Sequence, residues 1–578
     1  MCGIYGITEK NYNIVSDCIK ISSHRGPDGL SIWMNDKITL GHNLLSITSA
    51  PSEGKQPWIT DRQNILVYNG EIFNYYEIKK NIQNKFTPKT SCDTELLAWL
   101  LENNSYEDVV NNILDSMHAF VFYNSLKNEI ILSRDHAGIK PLYFTKTSSG
   151  IIFSSEIKSL LPYCKTANTI DRMALACTCY SGANFLRQTI FKGINKVMPG
   201  ETMVFDLDQK KFKTVHRNLV KPLSNKKFEI EEFTDETKKA IKQSTLGLRK
   251  FGMFLSGGID SSLIAYELKN ELKSLHTFTN KMEPNVVTPN EDHNSDALVA
   301  EKFAKDFDMF HHEVVVTPDI INEVWDDSIK FMEEPRYNWN MPMYFYTNKI
   351  LSKFGTVVTM AGDMGDELLG GYPGYFAKKN MPNKPKNWED FIWIWMKKFR
   401  SPVELNVKMN MRDLHSVLCK VLPSELWNPE DIANSAMALD CVTTVSEDFF
   451  SRNDRYGMAF SMEGRFPFSS KRFMKYCLAI KSKYKIGSTI HDIKLPVKQS
   501  YRNILPGYVL EKKKTGWSVP IVYWLRHNKI LHDKFKSTIK KSDGIEEIIS
   551  ENNYLVNDKP KVISWMLRSW SQKYNMSL

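Results

Sequence analysis

Two places in this sequence gather side chains that could do chemistry. The first is Ser256-Gly257-Gly258-Ile259-Asp260-Ser261-Ser262. Its glycines let the backbone approach an anion closely, and the helical pattern that follows, Leu263 to Leu268, would present unpaired N–H groups and a positive dipole end. Ser261 and Ser262 add hydroxyl donors, and Ser261 reads as a helix N-cap. Asp260 does not suit a bare phosphate cradle, because a carboxylate repels phosphate. A Mg²⁺ ion between the two reverses the sign. The stretch therefore predicts a loop for magnesium-complexed pyrophosphate, and it lacks the GxxxxGK[ST] spacing of a Walker loop. The second place is Cys2. With Met1 removed, this residue carries both a thiol and a free α-amine. A thiol of pKa about 8.5 is mostly protonated at neutral pH, and an adjacent amine of pKa about 7.7–8 can accept its proton. Position in the chain is itself the requirement for such a nucleophile.

The elements that must hold these groups follow from periodicity. An apolar run, Phe251-Gly252-Met253-Phe254-Leu255, precedes the glycine loop, which gives strand, tight loop, helix. Further strands are expected over 275–279, 310–316 and 356–360, with an amphipathic helix over 296–307. This alternation predicts a parallel sheet with helices on its faces and a ligand site at the carboxyl ends of its strands. His311-His312 lies inside a strand pattern and reads as structural. In the N-terminal half, Ile65-Leu66-Val67-Tyr68 reads as a strand that ends at Asn69-Gly70, a pair that alone would suggest a hairpin turn. Met198-Pro199-Gly200-Glu201 starts a last hairpin, and from about Asp206 to Lys227 the chain turns polar, which marks a boundary. Two domains are expected, residues 1–210 and 228–578.

Bulk properties exclude several classes. A chain of 578 residues holds about two to four domains. The net charge of +10 is thinly spread, and the densest basic run is Lys512-Lys513-Lys514, so no nucleic-acid partner is expected. Nine cysteines without a repeated CxxC or Cys/His spacing suggest a reducing, cytoplasmic setting. Cys177 and Cys179 are too close for a zinc pair and fit a core. The most apolar stretch, Phe391 to Met396, is too short for a membrane span, and no signal peptide is evident.

SGGIDSS resembles the pyrophosphate loop of ATP pyrophosphatases that adenylate a carboxylate. Met1-Cys2-Gly3-Ile4 with Gly6-Ile7, His24-Arg25-Gly26-Pro27-Asp28 and Asn69-Gly70-Glu71 resemble class II glutamine amidotransferases. Together the chain resembles the glutamine-hydrolysing asparagine synthetase family over nearly its whole length. The resemblance implies an α+β N-terminal nucleophile domain, an αββα sandwich, followed by an α/β parallel-sheet ATP-pyrophosphatase domain with extra helices. It implies Cys2 as nucleophile, Asn69 and Gly70 as oxyanion donors, and Ile47, Thr48, Glu71 and Asp93 with them as the glutamine site. Asp93 lies in Thr90-Ser91-Cys92-Asp93-Thr94-Glu95, where it would bind the glutamine ammonium; by itself it would read as a helix cap. Leu255, Ser256, Gly257, Gly258, Asp260, Ser261, Ser262, Ala361 and Gly362 match the ATP site. In Ala361-Gly362-Asp363-Met364-Gly365-Asp366-Glu367, Asp366 matches the residue that holds Mg²⁺ with Asp260, and Asp363 one that takes a proton from ammonia. Lys498, from Lys498-Gln499-Ser500-Tyr501-Arg502, is the cation expected to stabilise the adenylation transition state. Ser133 to Tyr143, Ile151 to Lys158, Arg452 to Arg455, Met462 to Phe468 and Lys513 to Pro520 match further family segments. ATP and Mg²⁺ are the cofactors implied. The partners implied are small molecules, namely aspartate, glutamine or ammonia, and ATP. A homodimer stays open.

Two departures bear on specificity. The family reads H-x-R-L-S-I where this chain reads His42-Asn43-Leu44-Leu45-Ser46-Ile47, so Leu44 replaces the Arg that pairs with the glutamine carboxylate. Met364 stands where the family has Gly. The function expected is adenylation of aspartate followed by amidation with ammonia. A related amide or lactam synthetase, ammonia as the direct donor, and a scaffold without turnover are the alternatives.

Overall fold

The computed structural model describes residues 2–272, 274–288, 291–336, 338–398, 411–513, 518–540 and 559–576. The N-terminal part contains two six-stranded sheets. The first has the order Ile194–Lys196, Tyr143–Lys146, Ile151–Ser154, Gly3–Ile7, Thr39–Leu44, Gly29–Met34. The second runs Lys211–Arg217, Glu201–Asp206, Glu129–Arg134, Ser116–Asn124, Ile65–Ile72, Trp58–Ile59. Neighbours within both are antiparallel. Alternation of apolar side chains lets each sheet bury one face against the other. Ile4, Leu40 and Phe153 of the first thus share a core with Val67, Val121 and Leu132 of the second. Helix Tyr12–Ile21 covers the outside of the first sheet through Val15 and Ile19 beside Tyr5 and Ile7. Helix Asp93–Asn103 covers the second through Leu96, Leu97 and Leu100 beside Leu66 and Phe120.

The C-terminal part is built on a five-stranded sheet ordered Phe310–Val316, His276–Met282, Phe251–Phe254, Val358–Met360, Glu463–Arg465. Its strands are parallel throughout. Helices Ile259–Glu271, Ser295–Asp306, Pro318–Met332 and Met341–Lys353 make crossovers, and further helices follow among the described residues, from Gly365–Leu369 to Lys559–Lys573. Buried ion pairs join the two parts. Arg25 lies 2.8 Å from Asp454, and Arg134 and Lys196 meet Glu447 at 3.2 and 2.7 Å; Glu156, 3.1 Å from Arg25, braces it from within the N-terminal part.

Several expectations shift. Asn69, Gly70 and Glu71 do not follow a strand's end: Ile65–Ile72 continues through them, opposite Ala119, His118 and Met117. Cross-strand pairing overrides the turn preference of Asn-Gly. The second sheet runs past residue 210, because Lys211–Arg217 pairs with Glu201–Asp206. Helix Ile259–Glu271 is capped at Gly258, so Ser261 is not the N-cap. Its hydroxyl instead donates back to the Gly258 carbonyl at 3.1 Å. His276–Met282 is longer than the expected 275–279, extended by pairing with Val314–Val316, and Val358–Met360 is shorter than 356–360. His311 and His312 hydrogen-bond to Thr277 and His276, as structural residues do. Of the segment 513–520, residues 514–517 lie outside the described residues. Among the described residues, no helix is long and apolar enough to cross a membrane.

Two candidate active sites

Cys2 is buried just before the strand Gly3–Ile7. Its backbone N–H donates to Asn69 Oδ1 at 2.9 Å. That bond orients the Asn69 carboxamide, whose Nδ2 is buried with no hydrogen-bond partner among the described residues. A buried donor left unsatisfied is strained in the resting protein and well suited to meet an oxyanion. Gly70 allows close packing here, since a Cβ would strike the Met117 carbonyl. Asp93 Oδ2 accepts from the Tyr68 hydroxyl and the Ile72 N–H, both at 3.1 Å. Burial pushes the Asp93 carboxyl up to about 6 despite those bonds. Burial likewise pushes the Cys2 thiol up.

Cys2, Leu44, Ile47, Thr48, Gly70 and Asp93 all line one small cavity of about 30 Å³. Glu71 and, unexpectedly, Glu463 of the C-terminal part line it too. Burial opposes the charge on Glu463, but the amino terminus, Arg465 and Lys140 overcome it and hold the carboxyl down at about 2. Burial pushes Glu71 well up, against the pull of Arg465, whose Nη2 lies 3.0 Å from its Oε2. Among the described residues lining this cavity there is no lysine or arginine. Arg249 is held 3.2 Å from Asp28 and donates to the Ser46 carbonyl at 3.3 Å, and Arg465 is held by Glu71 and Glu463.

The second site lies at the carboxyl ends of the parallel strands. A cavity of about 380 Å³ is lined by Ser256, Gly258, Asp260, Ser261, Ala361 and Gly362, and also by Asp363, Met364 and Asp366. Asp260 sits in the first turn of its helix, and Asp366 in the first turn of the short helix Gly365–Leu369. Both carboxylates converge on Lys494: its Nζ lies 2.6 Å from Asp366 Oδ1 and is ion-paired with Asp260 as well. Burial opposes the ammonium, yet the two aspartates raise its pKa. Close approach depends on Gly371, where a Cβ would strike Asp366. Two carboxylates directed at one cation form a hard-oxygen donor set of the kind Mg²⁺ takes alongside phosphate oxygens.

Not every expected residue faces this space. Leu255 is buried in the sheet, its N–H on the Phe278 carbonyl at 2.9 Å, and Ser262 is buried behind the loop. Gly257, at φ +68°, faces helix Ser295–Asp306, where a Cβ would lie 2.8 Å from the Ala300 nitrogen. Lys498 lines a smaller adjoining cavity of about 140 Å³ with Lys494, but its ammonium is half-exposed and 3.5 Å from the His491 carbonyl. The position between the aspartates thus belongs to Lys494, one helical turn before Lys498. A sequence signal exists for it: Leu495-Pro496 opens a helix, and proline in the first turn places the preceding Lys494 at the cap, facing outward from the helix end. Asp363 is pushed up by burial, opposed by Arg452, and accepts from Asn453 at 3.3 Å. Arg452 stacks over Tyr344 at 4.1 Å. Met364 adopts φ +76°, the left-handed conformation that glycine takes most easily.

One strand joins the sites. Glu463–Arg465 is the edge strand of the parallel sheet, and the Arg465 carbonyl accepts from the Ala361 N–H at 3.2 Å, at the start of the loop that carries Asp363 and Asp366. Its side chain meanwhile holds Glu463 at 2.6 Å and Glu71 at 3.0 Å.

Comparison with known proteins accords with this geometry. Residues 1–216 match the glutamine amidotransferase domain family, and residues 232–557 match the asparagine synthase family. Asparagine synthetase [glutamine-hydrolyzing] 1 of Bacillus subtilis is 27% identical over 91% of this chain and 88% of its own length. Putative asparagine synthetase [glutamine-hydrolyzing] 2 of Methanocaldococcus jannaschii is 30% identical over 64% of this chain and 76% of its own. Asparagine synthetase B [glutamine-hydrolyzing] of Escherichia coli is 23% identical over 91% and 83%. With an N-terminal nucleophile sandwich ahead of a parallel-sheet nucleotide site, the chain belongs to the asparagine synthase family and carries a glutamine amidotransferase domain in front.

Proposed function

We propose that this protein is an ATP-dependent carbon–nitrogen ligase that converts aspartate to asparagine. The observation that carries this reading is the convergence of Asp260 and Asp366, from segments far apart in sequence, on Lys494 at the edge of a nucleotide-sized cavity. The aspartate side-chain carboxylate attacks the α-phosphorus of ATP, and pyrophosphate leaves. Ammonia then attacks the acyl-adenylate, and AMP leaves. The glycine loop and the N-terminal end of helix Ile259–Glu271 bind the phosphates through backbone N–H groups. Mg²⁺ would be held by Asp260 and Asp366, and when bound it neutralises charge on the pyrophosphate. Lys494 adds positive charge at the same phosphates, with Lys498 at the rim. Asp363, made more basic by burial, takes a proton from the attacking ammonia.

Ammonia is released at Cys2. With Met1 removed, the α-amine takes the thiol proton, the thiolate attacks a carboxamide carbon, and Asn69 Nδ2 with the Gly70 N–H meets the oxyanion. Water then hydrolyses the thioester. Nine cysteines, none of them in a disulfide, support a reducing, cytoplasmic setting. The test is purified protein with aspartate, ATP, Mg²⁺ and ammonium. Equal amounts of AMP, pyrophosphate and asparagine are expected, and no aspartate-dependent pyrophosphate counts against the reading. A second reading, a related amide synthetase acting on another carboxylate, is favoured by Met364 in the cavity wall. Pyrophosphate formed with other carboxylates and not with aspartate would select it.

A further inference from the structure

The cavity at Cys2 has an unusual charge balance for a site that takes an amino acid. It holds roughly two waters' worth of space, enough for a carboxamide head. Its acidic wall is Glu71, Asp93 and Glu463, and the described residues lining it include no lysine or arginine. Leu44 closes one side, buried and packed so tightly that a Cβ on Gly54 would lie 3.3 Å from it. Thr48, Glu71 and Asp93 also line a second, wider cavity of about 500 Å³, which continues outward past Tyr75, Lys79 and Leu248. The outer cavity supplies what the inner one lacks, room and lysines: Lys79 and Lys89 line it with Glu53, and Lys89 lies 3.4 Å from Asp61.

A donor whose carboxamide reaches Cys2 and whose ammonium meets Asp93 must place its α-carboxyl carbon against Leu44 or out toward the second cavity. A free carboxylate in the first position would be desolvated beside an aliphatic side chain and near ionised carboxylates, without a counter-ion. A neutral peptide carbonyl there avoids the charge penalty and directs the next residue into the wider cavity. The geometry points to an amide donor with a free α-amine and a masked α-carboxyl: a short peptide whose first residue is glutamine. Lys79 and Lys89, both lining that cavity, then offer positive charge to the peptide's terminal carboxylate. The reaction balances as carboxamide plus water to carboxylate plus ammonia: the thiolate forms a thioester on the γ-carbon, the C–N bond breaks, and water releases a peptide that begins with glutamate. This inference rests on the proposed role of Cys2.

The full-length protein is assayed for ammonia released from L-glutamine, L-glutaminyl-glycine and N-acetyl-L-glutamine at matched concentrations, with ammonium-dependent asparagine formation measured in parallel. Glutaminyl-glycine is expected to exceed glutamine in kcat/KM by about tenfold or more, with N-acetyl-glutamine unused. L44R is expected to reverse the order by restoring use of free glutamine. Wild-type protein that hydrolyses glutamine as well as glutaminyl-glycine overturns the inference and leaves the proposed function standing. Hydrolysis of neither, with asparagine still formed from ammonium, overturns both the inference and the role of Cys2. Loss of asparagine formation alone strikes the synthetase reading and leaves the donor comparison valid.

Discussion

The cavity at Cys2 and the cavity at Asp260 solve opposite problems. The first is small, its titratable lining side chains apart from the cysteines and tyrosine are carboxyl groups, and its reactive groups are few: a thiol, one carboxamide, one strand edge. The second is wide, and its two acidic groups are already neutralised by a lysine from a third segment. A small neutral carboxamide can be held by shape and two donors. A polyanionic nucleotide needs cations, backbone N–H groups and a way to balance charge before it arrives. The difference teaches where each half should be sensitive: the first to loss of a single reacting atom, the second to the charge balance of a group.

Removing that atom should have the largest effect. C2A is expected to lower amide hydrolysis by on the order of 10⁵ or more, with asparagine formation from ammonium unchanged. D260N should do the converse. It removes one partner of Lys494 and one carboxylate of the phosphate site, and exchange of labelled pyrophosphate into ATP should fall by on the order of 10³, with amide hydrolysis at Cys2 within twofold of wild type. If either variant disables both reactions equally, the two cavities do not act as separate centres.

The strand Glu463–Arg465 is where the comparison can be broken. Arg465 is fully buried, binds Glu463 and Glu71, and donates to the Ser244 carbonyl at 2.9 Å. R465M would leave two buried carboxylates without their guanidinium, a loss of about 3–5 kcal/mol, read as a lower urea midpoint. The Arg465 carbonyl also accepts from the Ala361 N–H, so this strand offers a route by which ATP and aspartate bound at the second site would stimulate amide hydrolysis at Cys2, and R465M should weaken that stimulation. Stimulation unchanged in a folded R465M protein would mean the strand is scaffold and carries no signal between the sites.

The contrast also explains what was legible in the sequence. Groups that must be adjacent in the chain were readable: SGGIDSS, Cys2 and the acidic run 361–367 each carry their chemistry within a few residues. The parallel sheet was readable because buried strands and amphipathic helices have different periods. Glu463 beside Cys2 was not, because nothing local tells a strand end that it faces another domain. Lys494 was masked by Lys498, since both satisfy a spacing that only the helix start resolves. Asn69 reads as a strand end because its turn propensity is real, and in the structure cross-strand pairing outweighs it. Specificity was the least legible part: Leu44 announces that something is missing, while the charge and room that take its place come from residues scattered over 48–93 and 246–248.

Met364 sharpens the comparison at the acceptor side. It is buried, lines the larger cavity and holds a left-handed backbone at about 1–2 kcal/mol above glycine. M364G relieves that strain but removes a buried side chain worth about 2–5 kcal/mol, so a net loss of about 1–3 kcal/mol is expected in urea unfolding. The vacated space should admit bulkier carboxylates, read as aspartate-independent pyrophosphate release with a panel of larger acids. An unchanged acid preference would remove Met364 from the specificity wall.

The smallest expected effect is a pH dependence confined to the Cys2 side. Asp93 is raised to about 6 by burial, so its carboxylate is only partly formed at pH 5 and largely formed at pH 7. An ammonium-bearing donor needs the ionised form, so donor KM should fall roughly tenfold from pH 5 to pH 7, and ammonium-dependent synthesis should lack this feature. The stability sign is opposite. A carboxyl whose folded pKa lies above its unfolded value near 3.8 binds its proton more tightly in the native state, so its contribution is present at low pH and lost as pH rises through 6. Affinity and stability should therefore move in opposite directions across the same interval. Tyr68, Glu71, Cys92 and Glu463 surround the group, and Glu463, held near 2, stays ionised throughout. D93N should flatten the KM profile between pH 5 and 7. A profile that keeps its slope in D93N would shift the titration to Glu71, whose carboxyl burial also raises, and with it the identity of the group that meets the donor ammonium.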